Sequence, residues 1–340
     1  MTTVIFYLLF FFPYLTYYNV VATNSFDLLS LTNFLFFLVS VFLILIIRRN
    51  LFNKKVIYYG IGIGFVSFFI SSIAILIKNT TFLSTNIIFL VFLCLNIFLV
   101  TYSIFKGNII KKKNIKITSD KVKNNLKFIF LSDFHLGSNS KEYLDKVISI
   151  LNKIQYDFLL IGGDLIDSSS FKLKYLEKLK LLKKKIFFVT GNHEYYLNNT
   201  HEILEVLQRN KVLYLNNSSL IYKNLNIIGL NDNQTVSSQK KLALKLKKEH
   251  LFNLVLVHKP SVWSFIRNKV DLVLAGHTHN GQIFPFNLLV KLKFKFCYGI
   301  YKKYGSTLYV SSGLGCWGPK MRLGSSNEIL EINLAPKYRK

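Results

Sequence analysis

From residue 4 to residue 105 the chain runs in long apolar blocks with almost no polar interruption. Residues 4–22, 28–47, 56–77 and 87–105 are each about 19–22 residues long and carry no charged side chain. That is the length needed to cross ~30 Å of hydrocarbon. None of the four shows the polar face that a water-soluble bundle requires. The pattern predicts an all-α transmembrane region of four helices over residues 1–106. The first run contains Pro13 and several tyrosines, and it lacks the basic leader of a cleaved signal peptide.

From residue 127 the pattern changes to short apolar runs separated by amphipathic stretches. Strands are predicted at 127–131, 158–161 and 186–189. Helices are predicted at 141–154, where Leu144, Val147, Ile148 and Leu151 share one face, and at 171–182 and 200–209. Consecutive strands follow at 212–215, 220–222 and 225–230. A helix at 238–248, a strand at 253–257, a short helix at 261–267 and a strand at 271–274 come next. Late strands at 307–311 and 328–334 close the series. The order is α/β early and more antiparallel later, which fits two packed sheets flanked by helices. Residues 107–126, with a lysine run and Asn-Asn, read as a polar linker, and 335–340 as a tail.

Charge sharpens the division. Residues 1–106 hold seven charged side chains (Asp27, Arg48, Arg49, Lys54, Lys55, Lys78 and Lys106), whereas the rest holds 38 Lys/Arg against 16 Asp/Glu, a net of +22. Arg48, Arg49, Lys54 and Lys55 lie in the second connection, and Lys106, Lys111, Lys112 and Lys113 follow the fourth span. That distribution predicts a multi-pass protein of the cell membrane with the C-terminal domain on the cytoplasmic side. No Asp, Glu, Lys, Arg or His falls inside a span, so the spans read as an anchor and not as a transport path. Cys94, Cys297 and Cys316 are too far apart for a zinc or disulfide framework.

Candidate chemistry lies at the strand ends. The run Phe158–Ile161 stops at Gly162-Gly163-Asp164, and four further apolar runs end in the same way, over 128–135, 186–193, 254–258 and 272–279. Five of the seven histidines (His135, His193, His258, His277 and His279) sit at such ends. In Asp133-x-His135 and His277-x-His279 the alternate residues share a face of an extended segment, so each pair can grip one cation. Carboxylate, imidazole and amide donors without thiolate suit Mn²⁺, Fe or Zn²⁺. Five contributing strand ends exceed the needs of one tetrahedral ion and suggest two ions ~3.5–4 Å apart.

Five motifs in order resemble the calcineurin-like metallophosphoesterases: Asp133-Phe-His135, Gly163-Asp164-Leu-Ile-Asp167, Gly191-Asn192-His193-Glu194, His258, and Gly276-His277-Thr-His279. The similarity covers residues 127–334 and is strongest to a bacterial membrane-associated branch. It implies an α/β-β/α sandwich that binds two divalent metal ions. By that resemblance Asp133, His135 and His279 would hold the first ion, and Asn192, His258 and His277 the second. Asp164 would bridge both. His193 would stand outside the metal shell as general acid. A metal-bound hydroxide would attack phosphorus in line. Asp167 and Glu194 would orient ligand histidines or merely cap turns. Arg322, in the late glycine-rich stretch from Ser311, would contact phosphate or stay a surface arginine. Asn280, Lys259 and Asn327 depart from the family pattern without removing a ligand.

Residues 284–304 are rich in Phe, Leu, Tyr and Lys and follow the last metal motif. They suit an amphiphilic substrate with an anionic head, or form a pair of strands packed on the core. The expected function is a membrane-anchored phosphoesterase acting on a lipid-linked phosphate ester or pyrophosphate. Its partners would be the bilayer and a phosphorylated lipid. The alternatives are an enzyme for soluble nucleotides or nucleic acid, for which no binding motif is visible, and a non-catalytic membrane sensor.

Overall fold

The fold comes from a computed structural model, which describes residues 54–337 together with 34, 35, 38 and 39. The span expected at 4–22, and all of that expected at 28–47 except those four residues, lie outside the described residues.

The chain divides into two compact units. One contains the helices α1 (Lys54–Thr80) and α2 (Thr85–Gly107), together with residues 283–285 and 318–323. Ile57–Thr80 and Thr85–Gly107 are long and apolar enough to cross a membrane, with mean hydropathies of 2.3 and 2.6. Val66, Ile70, Ala74, Ile88 and Phe92 pack together with Ile283 and Met321. Gly62 permits the closest approach, since a Cβ there would lie 2.6 Å from Met321 Sδ. Leu90, Val91, Ile97, Phe98 and Phe105 on α2 remain exposed and apolar.

The other unit is a four-layer α/β sandwich of two mixed, six-stranded sheets. The first sheet has the order β1-β12-β2-β3-β4-β5, from β1 (Ile110–Ser119), β2 (Leu126–Leu131), β3 (Phe158–Gly162), β4 (Lys185–Val189), β5 (Val212–Tyr214) and β12 (Asn327–Pro336). The second has the order β10-β11-β9-β8-β7-β6, from β6 (Ser218–Tyr222), β7 (Leu225–Leu230), β8 (Phe252–Val257), β9 (Leu272–Ala275), β10 (Gly299–Lys303) and β11 (Ser306–Val310).

Alternation of side chains builds the layers. Phe128, Phe130, Phe158, Leu160 and Phe187 point inward against Ile227, Leu254, Leu256, Leu272 and Leu274 of the other sheet. Their neighbours Ile129, Leu131, Leu159 and Ile161 point outward, against Leu144, Val147 and Leu151 of α3 (Lys141–Asn152) and Ile203 and Leu207 of α5 (Thr200–Arg209), the helix after the short α4 (Asn192–Tyr196). Val255, Val257 and Val273 face Ala243 of α6 (Val236–Leu246) and Trp263 and Ile266 of α7 (Trp263–Ile266). Because both faces are covered, the central strands read as continuous apolar runs.

Several expectations change. The later sheet is more antiparallel than the first, with two antiparallel pairs against one, but only at its edges: β7, β8, β9 and β11 are parallel, and β6 and β10 run the other way. Residues 110–119 form strand β1, parallel to β12, where a linker was expected. As an edge strand it buries only Ile115, so lysines dominate its pattern. The helix expected over 171–182 is a 3-10 helix, Leu173–Leu182, and its buried Leu176, Leu179 and Leu182 recur every three residues, the period of that helix. Residues 286–293 form the helix α8 (Phe286–Lys293), followed by β10, where a pair of strands was the alternative.

Candidate metal centre

The carboxyl ends of β2, β3, β4, β8 and β9 deliver the expected ligands to one rim, the usual location of sites in parallel sheets. Each chain turns sharply there. Asp133, His135, Asp164, His277 and His279 all have positive φ, between 50° and 73°. Left-handed backbone in non-glycine residues costs ~1–3 kcal/mol each and persists only where the surroundings enforce it. The enforcement is visible. Asp133 N–H donates to Gly163 O (3.0 Å), His135 N–H to Asp164 O (3.0 Å) and Gly315 N–H to Asp133 O (2.8 Å). Asn139 Nδ2 ties Phe134 O to Cys316 O, at 2.9 Å each. The loop after β11 is thereby fastened to the loop after β2.

Among the described residues, three groups of side chains come within metal-binding distance: Asp133 with His135 and His279, Asp164 with His258 and His277, and His135 with Asp164 and His193. His135 Nε2 lies 2.9 Å from His279 Nε2, and His279 Nε2 lies 3.4 Å from Asp133 Oδ1. His258 Nε2 lies 3.1 Å from Asp164 Oδ2 and 3.2 Å from His277 Nδ1. Two donors bound at right angles to one cation at about 2.1 Å stand about 3 Å apart. The donor atoms therefore have the spacing that a shared cation imposes. Asn192 Oδ1 is buried without a hydrogen-bond partner, although buried amide oxygens are normally satisfied. These residues fit divalent metal ions.

Asp164 joins the groups. Its Oδ1 accepts the His193 N–H at 2.9 Å, and its Oδ2 lies 3.1 Å from His258 Nε2 and 3.8 Å from His135 Nε2. Gly191 makes room, since a Cβ there would sit 2.2 Å from Asp164 Oδ1. His258 is aimed by a hydrogen bond from Nδ1 to Gly162 O (2.9 Å), which leaves Nε2 for the site.

Electrostatics follows burial and pairing. Burial alone would raise the Asp164 carboxyl and lower the His258 imidazole. The attraction between the two overcomes both effects, holding Asp164 far below the carboxylate range and lifting His258 to about 10. Burial and the charge on His258 push His277 down to about 3. Burial lowers His193 as well, against the pull of Asp164.

Glu194 does not orient a ligand histidine. Its Oε2 accepts N–H groups from Gly191 (2.7 Å) and Asp164 (3.0 Å), and its Oε1 those of Leu165 (2.6 Å) and Ile166 (3.1 Å). Burial and Asp164 raise its carboxyl to about 7, while these N–H groups pull the other way. Two donors on each oxygen is the arrangement of an ionised carboxylate. Asp167 stands beside His135 and braces a turn. Its Oδ2 lies 3.3 Å from His135 Nδ1, outside good hydrogen-bond alignment, and its two oxygens accept from Ser138 N (2.9 Å) and Ser138 Oγ (2.6 Å). Arg322 groups with α1 and α2. It is wholly buried and its backbone N–H donates to Ser103 O at 2.8 Å, so it is no surface arginine.

Sequence reasoning missed the Glu194 amide cradle, the Gly162 carbonyl and two rings that meet His193, Tyr196 at 5.3 Å and Trp317 at 6.0 Å between centroids. Backbone groups leave no signature in residue types, and Trp317 lies 124 positions from His193.

A family profile described as calcineurin-like phosphoesterase matches residues 126–281. A Helicobacter pylori protein named uncharacterized metallophosphoesterase is 39% identical over 239 residues, covering 67% of this chain and 64% of its own length. A Campylobacter jejuni metallophosphoesterase is 37% identical over 263 residues, covering 72% of this chain and 68% of its own. A Danio rerio protein named transmembrane protein with metallophosphoesterase domain is 30% identical over 234 residues, covering 62% and 53%. The chain thus spans just under two thirds of the Helicobacter relative. With these motifs on these strand ends, the chain belongs to the calcineurin-like phosphoesterase family.

Proposed function

We propose that the protein is a membrane-anchored, metal-dependent phosphoesterase that holds two divalent ions and hydrolyses a phosphate ester or pyrophosphate linked to a lipid. The observation that carries the proposal is Asp164, whose Oδ2 stands between the two histidines, 3.8 Å from His135 Nε2 and 3.1 Å from His258 Nε2. Asp133, His135 and His279 would hold one ion, and Asn192, His258 and His277 the other, with Asp164 between them. Bound divalent ions supply Lewis acidity toward phosphate oxygens and lower the pKa of water.

The chain's own residues do the rest. Gly162 O would keep His258 turned toward the ions, and Asp167 Oδ2, 3.3 Å from His135 Nδ1, would favour the same orientation of His135. Glu194 fixes the loop that carries Asp164. His193 is partly open to solvent, with its side chain 17% exposed, and its Nε2 lies 3.9 Å from Asp164 Oδ2. From there it donates a proton to the departing oxygen. Arg322, buried beside α2, would act on substrate only through its surroundings.

The membrane part of the reading rests on α1 and α2 and on the relative named as a transmembrane protein. The lipid part rests on α8. Phe286, Leu288, Leu289 and Leu292 are exposed along it, beside Lys291 and Lys293. Exposed apolar side chains among lysines suit an amphiphile with an anionic head. The domain lies on the cytoplasmic side in this proposal, from the basic flanks.

The test is a substrate screen with full-length, detergent-purified protein loaded with Mn²⁺, Zn²⁺ or Fe²⁺. Phosphate release is followed from phosphorylated lipids and from nucleotides, and metal content is measured on the same sample. Turnover of a lipid phosphate with about two ions per chain is expected. Equal rates on nucleotides with no turnover of lipids would replace the substrate. No turnover with any metal, by a folded protein, would remove the enzyme.

A further inference from the structure

His193 has neighbours that no ligand role explains. Its ring meets Tyr196 at 5.3 Å between centroids (64° between planes) and Trp317 at 6.0 Å (59°). Both rings are open to solvent, Tyr196 being 70% and Trp317 53% exposed. Large aromatic rings usually bury most of their 150–250 Å², and the chain's other tryptophan, Trp263, is 2% exposed.

The root of Trp317 is nonetheless fixed. Its N–H donates to Gln282 Oε1, and Gln282 Nε2 donates back to Trp317 O, both at 3.0 Å. Gln282 lies three residues past His279 and has a φ of 53°. Tyr196 ends α4, the helix that begins at Asn192. Each ring is therefore anchored to a segment that carries metal ligands, while more than half of each residue stays exposed.

We propose that Tyr196 and Trp317 form the leaving-group subsite and take an alcohol that bears a flat-faced ring. This rests on the phosphoesterase reading above, with His193 as proton donor. A water oxygen bonds to phosphorus and gives up one proton to solvent, the bond from phosphorus to the alcohol oxygen breaks, and that oxygen takes a proton from His193, which solvent then restores. The alcohol must then lie at the edge of His193, within reach of the two aromatic faces. Aromatic faces recognise aromatic rings and the C–H faces of sugars, and the phenol and indole N–H can bond ring substituents. A flexible alkyl chain gains less, because it presents no plane to stack.

The test uses the full-length, metal-loaded protein with phenyl phosphate, glucose 1-phosphate and butyl phosphate, followed by phosphate release. In Trp317→Ala and Tyr196→Ala, kcat/KM for the ring substrates relative to butyl phosphate should fall roughly tenfold, mainly through KM. Trp317→Phe and Tyr196→Phe, which keep a ring face, should restore most of the preference. The arm that responds, phenyl or glucose, identifies the class of ring. An equal loss on all three substrates would overturn the subsite.

Binding gives a readout independent of turnover. With Trp263 buried, a saturable change in intrinsic fluorescence on adding phenylphosphonate or glucose 1-phosphate, absent in Trp317→Phe, reports occupancy beside Trp317. Failure to hydrolyse any ester while this signal persists would count against the proposed function and for the subsite. Absence of the signal with both ring ligands would overturn the subsite whatever the activity.

Discussion

Glu194 Oε2 accepts the backbone N–H of Asp164 at 3.0 Å, so the carboxylate that joins the ligand groups is held by a second, fully buried carboxylate that holds no ligand side chain. Glu194→Gln would turn an amide donor toward two of the four N–H groups. At ~1–3 kcal/mol for each of the two buried donors left unpaired, a loss of about 2–6 kcal/mol is expected. A thermal melt of the full-length protein would show it, together with reduced metal content. An unchanged Tm would mean that the loop holds its shape without this carboxylate.

Asp164→Asn removes the charge that faces both ligand groups. Two-ion sites draw several kcal/mol of transition-state stabilisation from their metals, so activity should drop about a thousandfold or more. Metal analysis should find fewer ions per chain than in the unsubstituted protein. Full metal content with full activity would assign the joining role elsewhere.

His193→Ala should behave differently. A positioned acid contributes about 10²–10⁴-fold, so kcat should fall by that range while the bound metal is kept. Loss of metal in this variant would make His193 a ligand, as its place in the group with His135 and Asp164 allows.

His258 gives a pH prediction. Its pKa in the metal-free fold, about 10, lies above its ordinary 6.5 because of Asp164. A raised imidazole contributes stability that is complete below the unfolded pKa and is lost as pH rises through the folded one. Chelated protein should therefore lose Tm between pH 6.5 and 10. Metals compete with the same proton, so their affinity and the Tm gained from adding them should grow over that window. Melting curves with and without Mn²⁺ across it are the check, and a metal effect independent of pH would contradict the assignment.

Gly191→Ala tests the close approach at the end of β4. The new Cβ would lie 2.2 Å from Asp164 Oδ1, so the carboxylate that also contacts His258 must shift. Weaker metal binding is expected even if the fold survives, and calorimetric titration with Mn²⁺ would measure it.

The sequence by itself determined which chemistry was available and where along the chain it fell. Apolar runs ending in Asp, Asn or His are local patterns, and a buried parallel strand cannot be built without them. The same holds for the long apolar runs that became α1 and α2, and for the face of α3. Tertiary structure decided what met what. Asp133 accepts the N–H of His277 at 3.1 Å, and His135 meets His279 at 2.9 Å, across 144 positions in each case, because β2 and β9 lie in different sheets whose carboxyl ends converge when the sandwich closes. The role of Glu194 depended on four backbone amides, which are identical in every residue and so leave nothing to read. Strand β1 was hidden because an edge strand buries little and its lysines look like a linker. Trp317 came to stand beside His193 through the turn that Gln282 holds. Residue types fixed the donors; the register and closure of two sheets, which no local pattern encodes, fixed the distances between them.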